Sequence, residues 1–234
     1  MKKILCLMLL FVSMTATAQK DVTKFLGIPV DGTKSAMIQK LKSKGFKYND
    51  RLDCLTGEFN GMDVRISVVT NNNKVWRIMI EDEASRSETD IRIRFNNLCR
   101  QFEKNEKYVP ASISDYKLPS NEDISYEITV NNKRYEASYY QMADFEGTDS
   151  LLMRQKVKEA LLDEYTQEQI DNFETLPEEL QEEMYERSHQ IAFKMALDVM
   201  SKKSVWFMIN RQYGMYRIIM YYDNEYNHSD GEDL

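Results

Sequence analysis

The strongest constraint on the fold is the alternation of apolar and polar residues around Asn60-Gly61, in the stretch LTGEFNGMDVRISVV (residues 55–69). Asn-Gly between two alternating runs is the strongest short-range signal for a two-residue β-hairpin turn. The apolar residues of the second run, which share one face of a strand, are Met62, Val64, Ile66 and Val68. A further turn at residues 71–74 leads into the apolar run VWRIMI (residues 75–80). The pattern therefore predicts an antiparallel meander with one buried face.

Two amphipathic helices are predicted beside these strands. For the first, residues 34–44, Thr33 is a suitable N-cap and Gly45 a suitable residue to end the helix. Its apolar residues fall on one stripe and are Met37, Ile38 and Leu41. The second, residues 88–105, has apolar residues spaced four, three and four apart, which are Ile91, Phe95, Leu98 and Phe102. This spacing is typical of a helix that buries one face.

Further strands follow in the second half of the chain. Ile124, Tyr126, Ile128 and Val130 alternate with polar residues and predict a strand at 124–130, and a second strand is expected at 133–142. Residues 204–222 predict a hairpin that turns near Gly214. We therefore expect an α+β fold, with a twisted antiparallel sheet of about six to eight strands and the helices on one of its faces.

A compositional break at residues 143–202 separates two of these strand regions. The segment contains 15 acidic and 6 basic residues, a net charge of −9, whereas the whole chain has a net charge of −7. Helix-start signals recur within it, such as the pair Thr166 and Gln169, which resembles a capping box. We interpret the segment as an acidic helical insertion within one α+β domain, residues 19–234.

The first residues, MKKILCLMLLFVSMTATAQK, have the features of a secretory signal peptide. Lys2 and Lys3 form a basic region, an apolar run follows, and Ala16-Thr17-Ala18 is a small-residue cleavage site. We expect residues 1–18 to be removed, which places the protein in the periplasm or outside the cell. The later segments are too polar to predict a membrane span. The net negative charge argues against nucleic acid as a partner.

Catalytic motifs are not recognisable in the sequence. There are two histidines, His189 and His228, and neither belongs to an HExxH zinc motif. A nucleophile elbow, a phosphate-binding loop and a dinucleotide glycine pattern are also missing. We therefore expect no catalytic residues, no cofactor and no metal site, and the sequence leaves any ligand-binding residues unknown.

The end of the chain, YYDNEYNHSDGEDL (residues 221–234), raises the question of a calcium loop. Its candidate ligands are Asp223, Glu225, Asn227 and Asp230. An EF-hand loop requires glycine at its sixth position, and His228 occupies that position here. The stretch is therefore interpreted as the polar end of the last strand rather than as a metal site.

Cys54 and Cys99 are the cysteines outside the signal segment. In an exported protein such a pair is compatible with a disulfide bond, whereas two small buried residues are the alternative. Spacing in the sequence leaves both possibilities open, because a disulfide requires the two Cα atoms within about 7 Å.

Aromatic residues are frequent on the predicted strands. They include Trp76, Tyr135, Tyr139, Tyr140, Trp206, Tyr213, Tyr216, Tyr221 and Tyr222. Alternation places Tyr139 and Tyr140 on opposite faces of the sheet. Trp and Tyr suit a protein interface or a glycan platform, although aromatic residues also favour strands for packing reasons alone.

Four stretches together resemble a family of uncharacterised exported proteins of Gram-negative gut bacteria. They are KFLGIPVDGTKSAMIQKLKSKGF, LTGEFNGMDVRISV, EDISYEITVNNKRYEASYYQ and YYDNEYNHSDGEDL. The resemblance implies export and an α+β fold, and it implies no activity. The order of elements is also similar to that of small envelope domains of the β-lactamase-inhibitor-like type.

These observations lead to an expectation about function. We expect a non-enzymatic binding protein whose partner is a protein or an envelope component. The alternatives are a hydrolase with a site assembled from scattered residues and a glycan-binding module. A cleft with His189 or two buried carboxylates favours the hydrolase, whereas a solvent-facing Trp76 or a row of tyrosines favours the glycan-binding module.

Overall fold

The computed structural model describes residues 20–144 and 148–228, with the backbone alone for residues 148–152. Within these ranges the strands form one eight-stranded antiparallel sheet and a separate two-stranded hairpin, and six α-helices accompany them. The predicted α+β class is therefore confirmed. The predicted signal peptide, residues 1–18, lies outside the described residues.

The strands are short at the sheet edges and long at its centre. Their bounds are β1 Lys24–Phe25, β2 Ile28–Pro29, β3 Lys47–Asn49, β4 Cys54–Phe59, β5 Met62–Asn71, β6 Lys74–Asp82, β7 Tyr108–Pro110, β8 Glu136–Gln141, β9 Ser204–Gln212 and β10 Met215–Asp223. The α-helices are α1 Lys34–Ser43, α2 Glu88–Glu103, α3 Ile124–Val130, α4 Thr148–Leu161, α5 Gln167–Asp171 and α6 Glu178–Ser201. A 3-10 turn at Phe173–Thr175 lies between α5 and α6.

The eight-stranded sheet is built from two similar halves. In each half a helix is followed by four antiparallel strands, α1 with β3 to β6 and α2 with β7 to β10. The strand order is β3-β4-β5-β6-β10-β9-β8-β7, so the last strands of the two halves pair at the centre. Helix α1 contacts β3, β5 and β6, and α2 contacts the corresponding strands β7, β9 and β10. The repeat is evident from the topology, although the two halves differ in sequence.

The helices α1 and α2 pack on one face of this sheet and form the main core with it. Their buried residues, including Leu41 and Phe95, join the inward side chains of the long strands in one apolar cluster. Both helices begin at the predicted positions, since Thr33 accepts from the backbone NH of Ala36 and Ser87 accepts from that of Asp90. They end one and two residues before the expected boundaries.

The prediction of a strand at 124–130 is wrong, because these residues form helix α3. The Asp123 side chain accepts a hydrogen bond of 2.8 Å from the backbone NH of Tyr126 and caps the helix. Ile124 and Ile128 both pack toward the main core, which a helix achieves equally well at a spacing of four. Tyr126 and Val130, which alternation would also bury, are 53% and 55% exposed, as the helical period requires.

The acidic segment forms helices, as the composition predicted. Residues 144–195 belong to a compact unit separate from the one that contains the sheet. Its own small core contains Leu161, Tyr165 and Met184. Thr166 and Gln169 form the expected capping box at the start of α5. Across the described residues, none of the helices has the length and apolar character that crossing a membrane requires.

Candidate functional site

The sheet has a second face, opposite the helices, and we call it the open face. Cross-strand register brings five large apolar residues together at its middle, on three adjacent strands, and we call them the apolar centre. They are Met79, Trp206, Met208, Ile219 and Tyr221. Each of these side chains is half-buried. Helices α1, α2 and α3 direct their buried residues to the other face, so these three helices leave the apolar centre uncovered.

An arginine and a buried carboxylate border the apolar centre on one side. Arg77 Nε and Nη2 donate to the two carboxylate oxygens of Asp223 at 2.6 Å each. Trp206 Nε1 donates to Asp223 Oδ2 at 2.9 Å. The Arg77 guanidinium also lies 4.6 Å from the ring centroid of Tyr221 and 4.2 Å from that of Trp76. This network immobilises the aromatic rings around one bidentate ion pair.

A second group of charges borders the apolar centre at the other end of the strands. Glu81 accepts hydrogen bonds from Arg65 at 3.4 Å and from Arg217 at 3.2 Å. Two guanidinium groups thus share one carboxylate, so the group carries one excess positive charge. Arg65 and Arg217 remain 41% and 28% exposed, which leaves both able to contact a further acidic group.

A hollow of about 340 Å³ lies on the open face beside Trp206. Tyr140 forms a second aromatic wall, and Ser138 and Ser204 add hydroxyl groups. The ion pair between Arg134 and Glu136, at 2.9 Å, is on its rim. The open face therefore combines an apolar middle, a recess beside it and a border of charged groups.

A different crevice, of about 560 Å³, lies on the helical side of the same unit. It is an open crevice bordered by the ends of α1 and α2, the β1–β2 turn and the β4–β5 turn. Its apolar lining includes Phe46, Phe59, Phe102, Met220 and Tyr222, and its polar lining includes Asn60 and Gln101.

The residues considered for a calcium loop have other partners. Asp223 pairs with Arg77, Glu225 accepts from Ser204 at 3.2 Å, and Asn227 donates to Asp31 at 2.8 Å and to the Val75 carbonyl at 2.9 Å. Asp230 lies outside the described residues. Among the residues that the structure describes, no group of three or more His, Cys, Asp or Glu side chains is placed to hold a metal ion.

Neither histidine lines the two hollows described above. His189 is exposed on α6, where its Nδ1 lies 2.9 Å from the carbonyl oxygen of Tyr185 and its ring packs on the Tyr185 ring at 4.2 Å. His228 packs against Trp76, with 4.7 Å between the ring centroids. Neither position provides the partly enclosed environment in which a histidine base operates on a bound substrate.

Cys54 and Cys99 are both buried free thiols, which answers the question that the sequence left open. Cys54 begins β4, whereas Cys99 lies on α2 within the main core. Burial raises the pKa of the Cys99 thiol to about 12, so at neutral pH it is protonated and a poor nucleophile. The residue behaves as a small apolar member of the core.

The aromatic residues divide between the two faces as alternation predicts. Tyr139 is buried in the core and Tyr140 is half-buried on the open face. Trp76 is half-buried at an irregularity where Val69 pairs with Arg77 but Thr70 pairs with Val75.

Sequence reasoning missed the charged residues of the open face, although Arg77 and Glu81 already alternate with the apolar residues of their strand. The partner of Arg77 is Asp223 and a partner of Glu81 is Arg217, both on β10. Strands β6 and β10 are far apart in the sequence, so local patterns do not reveal that they pair.

Comparison of the chain with known protein families, with curated proteins and with solved structures gives no match.

Proposed function

We propose that this protein is exported and acts as a non-enzymatic binding protein in the periplasm or at the cell exterior. Its partner is a folded envelope protein, which it contacts through the open face. The signal-like residues 1–18 support export. The observation that carries the proposal is the apolar centre, five half-buried side chains on adjacent strands bordered by arginine–carboxylate pairs.

This arrangement has the composition of a protein interface. Interfaces combine an apolar, aromatic middle with a polar border, and their energetically dominant residues are enriched in Trp, Tyr and Arg. Here Trp206, Tyr221 and Arg77 are fixed by their mutual contacts and by Asp223. Rigid anchors lose little side-chain entropy when a partner binds, which favours affinity.

The geometry favours a protein partner over a glycan. A sugar needs a free aromatic face on which to stack. The Trp206 and Tyr221 rings instead stack on each other, with centroids 4.0 Å apart and planes at 21°. The Trp76 face is occupied by the guanidinium of Arg77 at 4.2 Å. Much of the aromatic surface is therefore already used within the protein, and what remains is a compact apolar patch.

The geometry also gives little support to the hydrolase alternative. Two buried carboxylates, Asp82 and Asp223, are 3% and 2% exposed. Asp82 is paired with Arg86 and Arg94, and Asp223 with Arg77. Because Asp223 lies opposite Arg77 on β6, it is separated from Asp82 by five residue steps, roughly 16 Å at about 3.3 Å per residue. A glycosidase pair requires about 5 to 10 Å.

The proposal is tested by photo-crosslinking in the native cells. A benzoylphenylalanine residue replaces Met208 in the apolar centre, and the matched control replaces Tyr213, which is 96% exposed on the β9–β10 turn. We expect a discrete adduct with one envelope protein from position 208 and none from position 213. The mass of the crosslinked chain should lack residues 1–18.

The partner identified in this way is then purified and titrated. Arg65→Glu, which changes the charge beside the apolar centre, should weaken binding about tenfold or more, because charged side chains at an interface border mainly affect encounter and specificity. Two results would each rule out the open face as the interface. One is identical adducts from positions 208 and 213, and the other is unchanged binding in both the Arg65→Glu and the Met208→Arg variants.

A further inference from the structure

We propose that the crevice on the helical side of the sheet binds a small uncharged amphiphile. Its apolar body would lie on the aromatic floor of the crevice, and an amide, ester or hydroxyl head would lie at Asn60 and Gln101. The crevice measures about 560 Å³, within the range of about 300 to 1,000 Å³ typical of small-molecule sites.

The floor of the crevice is suited to an apolar ligand. Met220 and Tyr222 come from the central strand β10 and are 3% and 6% exposed, and Phe102 from α2 is 7% exposed. Phe59 completes the wall and is held edge-on by Phe25, with 5.1 Å between the ring centroids. These side chains are fixed by the main core, so the surface exists before a ligand arrives.

The head group is inferred from the polar lining. Asn60 Nδ2 donates to Gln101 Oε1 at 2.7 Å, which joins the β4–β5 turn to α2. Each side-chain amide has further donor and acceptor capacity, so the pair can serve a neutral polar group. The charged lining residues are one lysine, Lys44, and one glutamate, Glu58. Their formal charges cancel, which favours an uncharged head over a carboxylate or an ammonium group.

Leu26 provides an independent observation. It lines the crevice from the β1–β2 turn and is 40% exposed. Its φ angle is +52° and that of Gly27 is +78°, the left-handed pair of a two-residue hairpin turn, and leucine is unfavourable at the first of these positions. A strained and exposed apolar side chain at the mouth of an apolar crevice is costly for the free protein, and a bound amphiphile would bury it.

This site lies on the face opposite the apolar centre, and it does not depend on the proposed protein interface. The two proposals can therefore fail separately. Binding of a small ligand at the crevice is expected to survive substitution of Met208 on the open face, and loss of the protein partner would leave the crevice intact.

The test uses the neutral fluorescent probe N-phenyl-1-naphthylamine with the purified chain, residues 19–234. We expect saturable binding of one probe per chain. Gln101→Trp, which places an indole at the mouth, should reduce affinity about tenfold or more, equivalent to about 1.4 kcal/mol. The control Ile93→Trp introduces the same side chain on α2 at a residue that is 54% exposed and outside the lining, and it should bind as the wild type does.

A second variant separates binding from folding. Asn tolerates left-handed φ angles better than Leu, so Leu26→Asn should be at least as stable as the wild type but should bind the probe severalfold more weakly. An anionic comparison probe, 8-anilinonaphthalene-1-sulfonate, should bind more weakly than the neutral one. Non-saturable binding, equal loss in both Trp variants, tighter binding of the anionic probe, or full affinity in Leu26→Asn would overturn the proposal.

Discussion

At the scale of single residues, the buried carboxylate of Asp223 determines the geometry of the open face. It accepts from Arg77 and from Trp206, and those two residues in turn contact Tyr221. Its side chain is 2% exposed, so the ion pair lies largely out of water. Removing one member of a buried ion pair leaves the other charge without a partner, and this cost exceeds the value of an exposed pair.

We therefore predict that Asp223→Asn lowers the free energy of unfolding of the sheet unit by about 3 kcal/mol. Both tryptophans, Trp76 and Trp206, lie in that unit, so urea unfolding followed by tryptophan fluorescence measures it directly. The matched control is Asp53→Asn, because Asp53 is 57% exposed in its ion pair with Lys34. The control should change stability by less than about 1 kcal/mol. Equal losses in the two variants would contradict the structural role assigned to Asp223.

At the scale of secondary-structure elements, hairpin turns of the same geometry are built from different residues, as the β4–β5 and β9–β10 turns show. The β4–β5 turn places Asn60 and Gly61 at φ angles of +54° and +70°, and the β9–β10 turn places Tyr213 and Gly214 at +52° and +76°. Asn and Gly adopt these angles readily, whereas Tyr does so at a cost. The second turn is therefore fixed by the pairing of its strands rather than by the preference of its first residue.

We predict that Tyr213→Asn raises the free energy of unfolding of the sheet unit by about 0.5 to 1 kcal/mol, because it relieves the left-handed strain without removing a buried contact. Tyr213 is 96% exposed, so little packing is lost. Tyr213→Phe retains the strain and should match the wild type. The measurement is again the urea midpoint by tryptophan fluorescence, and a Tyr213→Asn variant no more stable than Tyr213→Phe would refute the prediction.

At the scale of the whole molecule, the acidic helices interrupt one hairpin of the sheet. Strands β8 and β9 are adjacent and antiparallel, and helices α4 to α6 are inserted between them in the chain. The residues just before and just after this insertion contact each other within the sheet unit. The NH of Gln141 donates to the Lys203 carbonyl at 2.9 Å, and Lys203 Nζ donates to the Met142 carbonyl at 2.8 Å. A short connection can therefore close the same hairpin.

We predict that replacing residues 145–200 by a short Asn-Gly-containing turn leaves a sheet unit that folds cooperatively. The circular dichroism signal at 222 nm should fall with the loss of helices α4 to α6, while the cooperative change in tryptophan fluorescence on unfolding should remain. The reason is that the buried residues of the main core lie between residues 25 and 139 and between residues 205 and 222, outside the replaced segment. A non-cooperative transition in the shortened chain would show that the sheet unit requires the acidic helices.

Local patterns in the sequence were enough to predict much of the fold. Alternation assigned Val64, Ile66 and Val68 to the buried face, and a four-three-four spacing assigned Phe95 and Phe102 to the core. The capping residues at α1 and the turn at Asn60 were also predictable, because caps and two-residue turns depend on interactions between close neighbours in the chain. The strand predicted at 124–130 was wrong, because Ile124 and Ile128 share one face under either an alternating or a helical period. Tyr126 and Val130, which alternation would also bury, are exposed on α3.

The sequence by itself therefore determined the class of fold, which face of β5 is buried and the acidic character of the helical segment. Tertiary structure alone decided that β6 pairs with β10, and this pairing places Arg77 beside Asp223 and Glu81 between Arg65 and Arg217. It also decided that Leu26, Asn60, Gln101 and Met220 line one crevice. The physical reason is that side-chain periodicity is set by the local backbone, whereas register between distant strands is set by packing of the whole core.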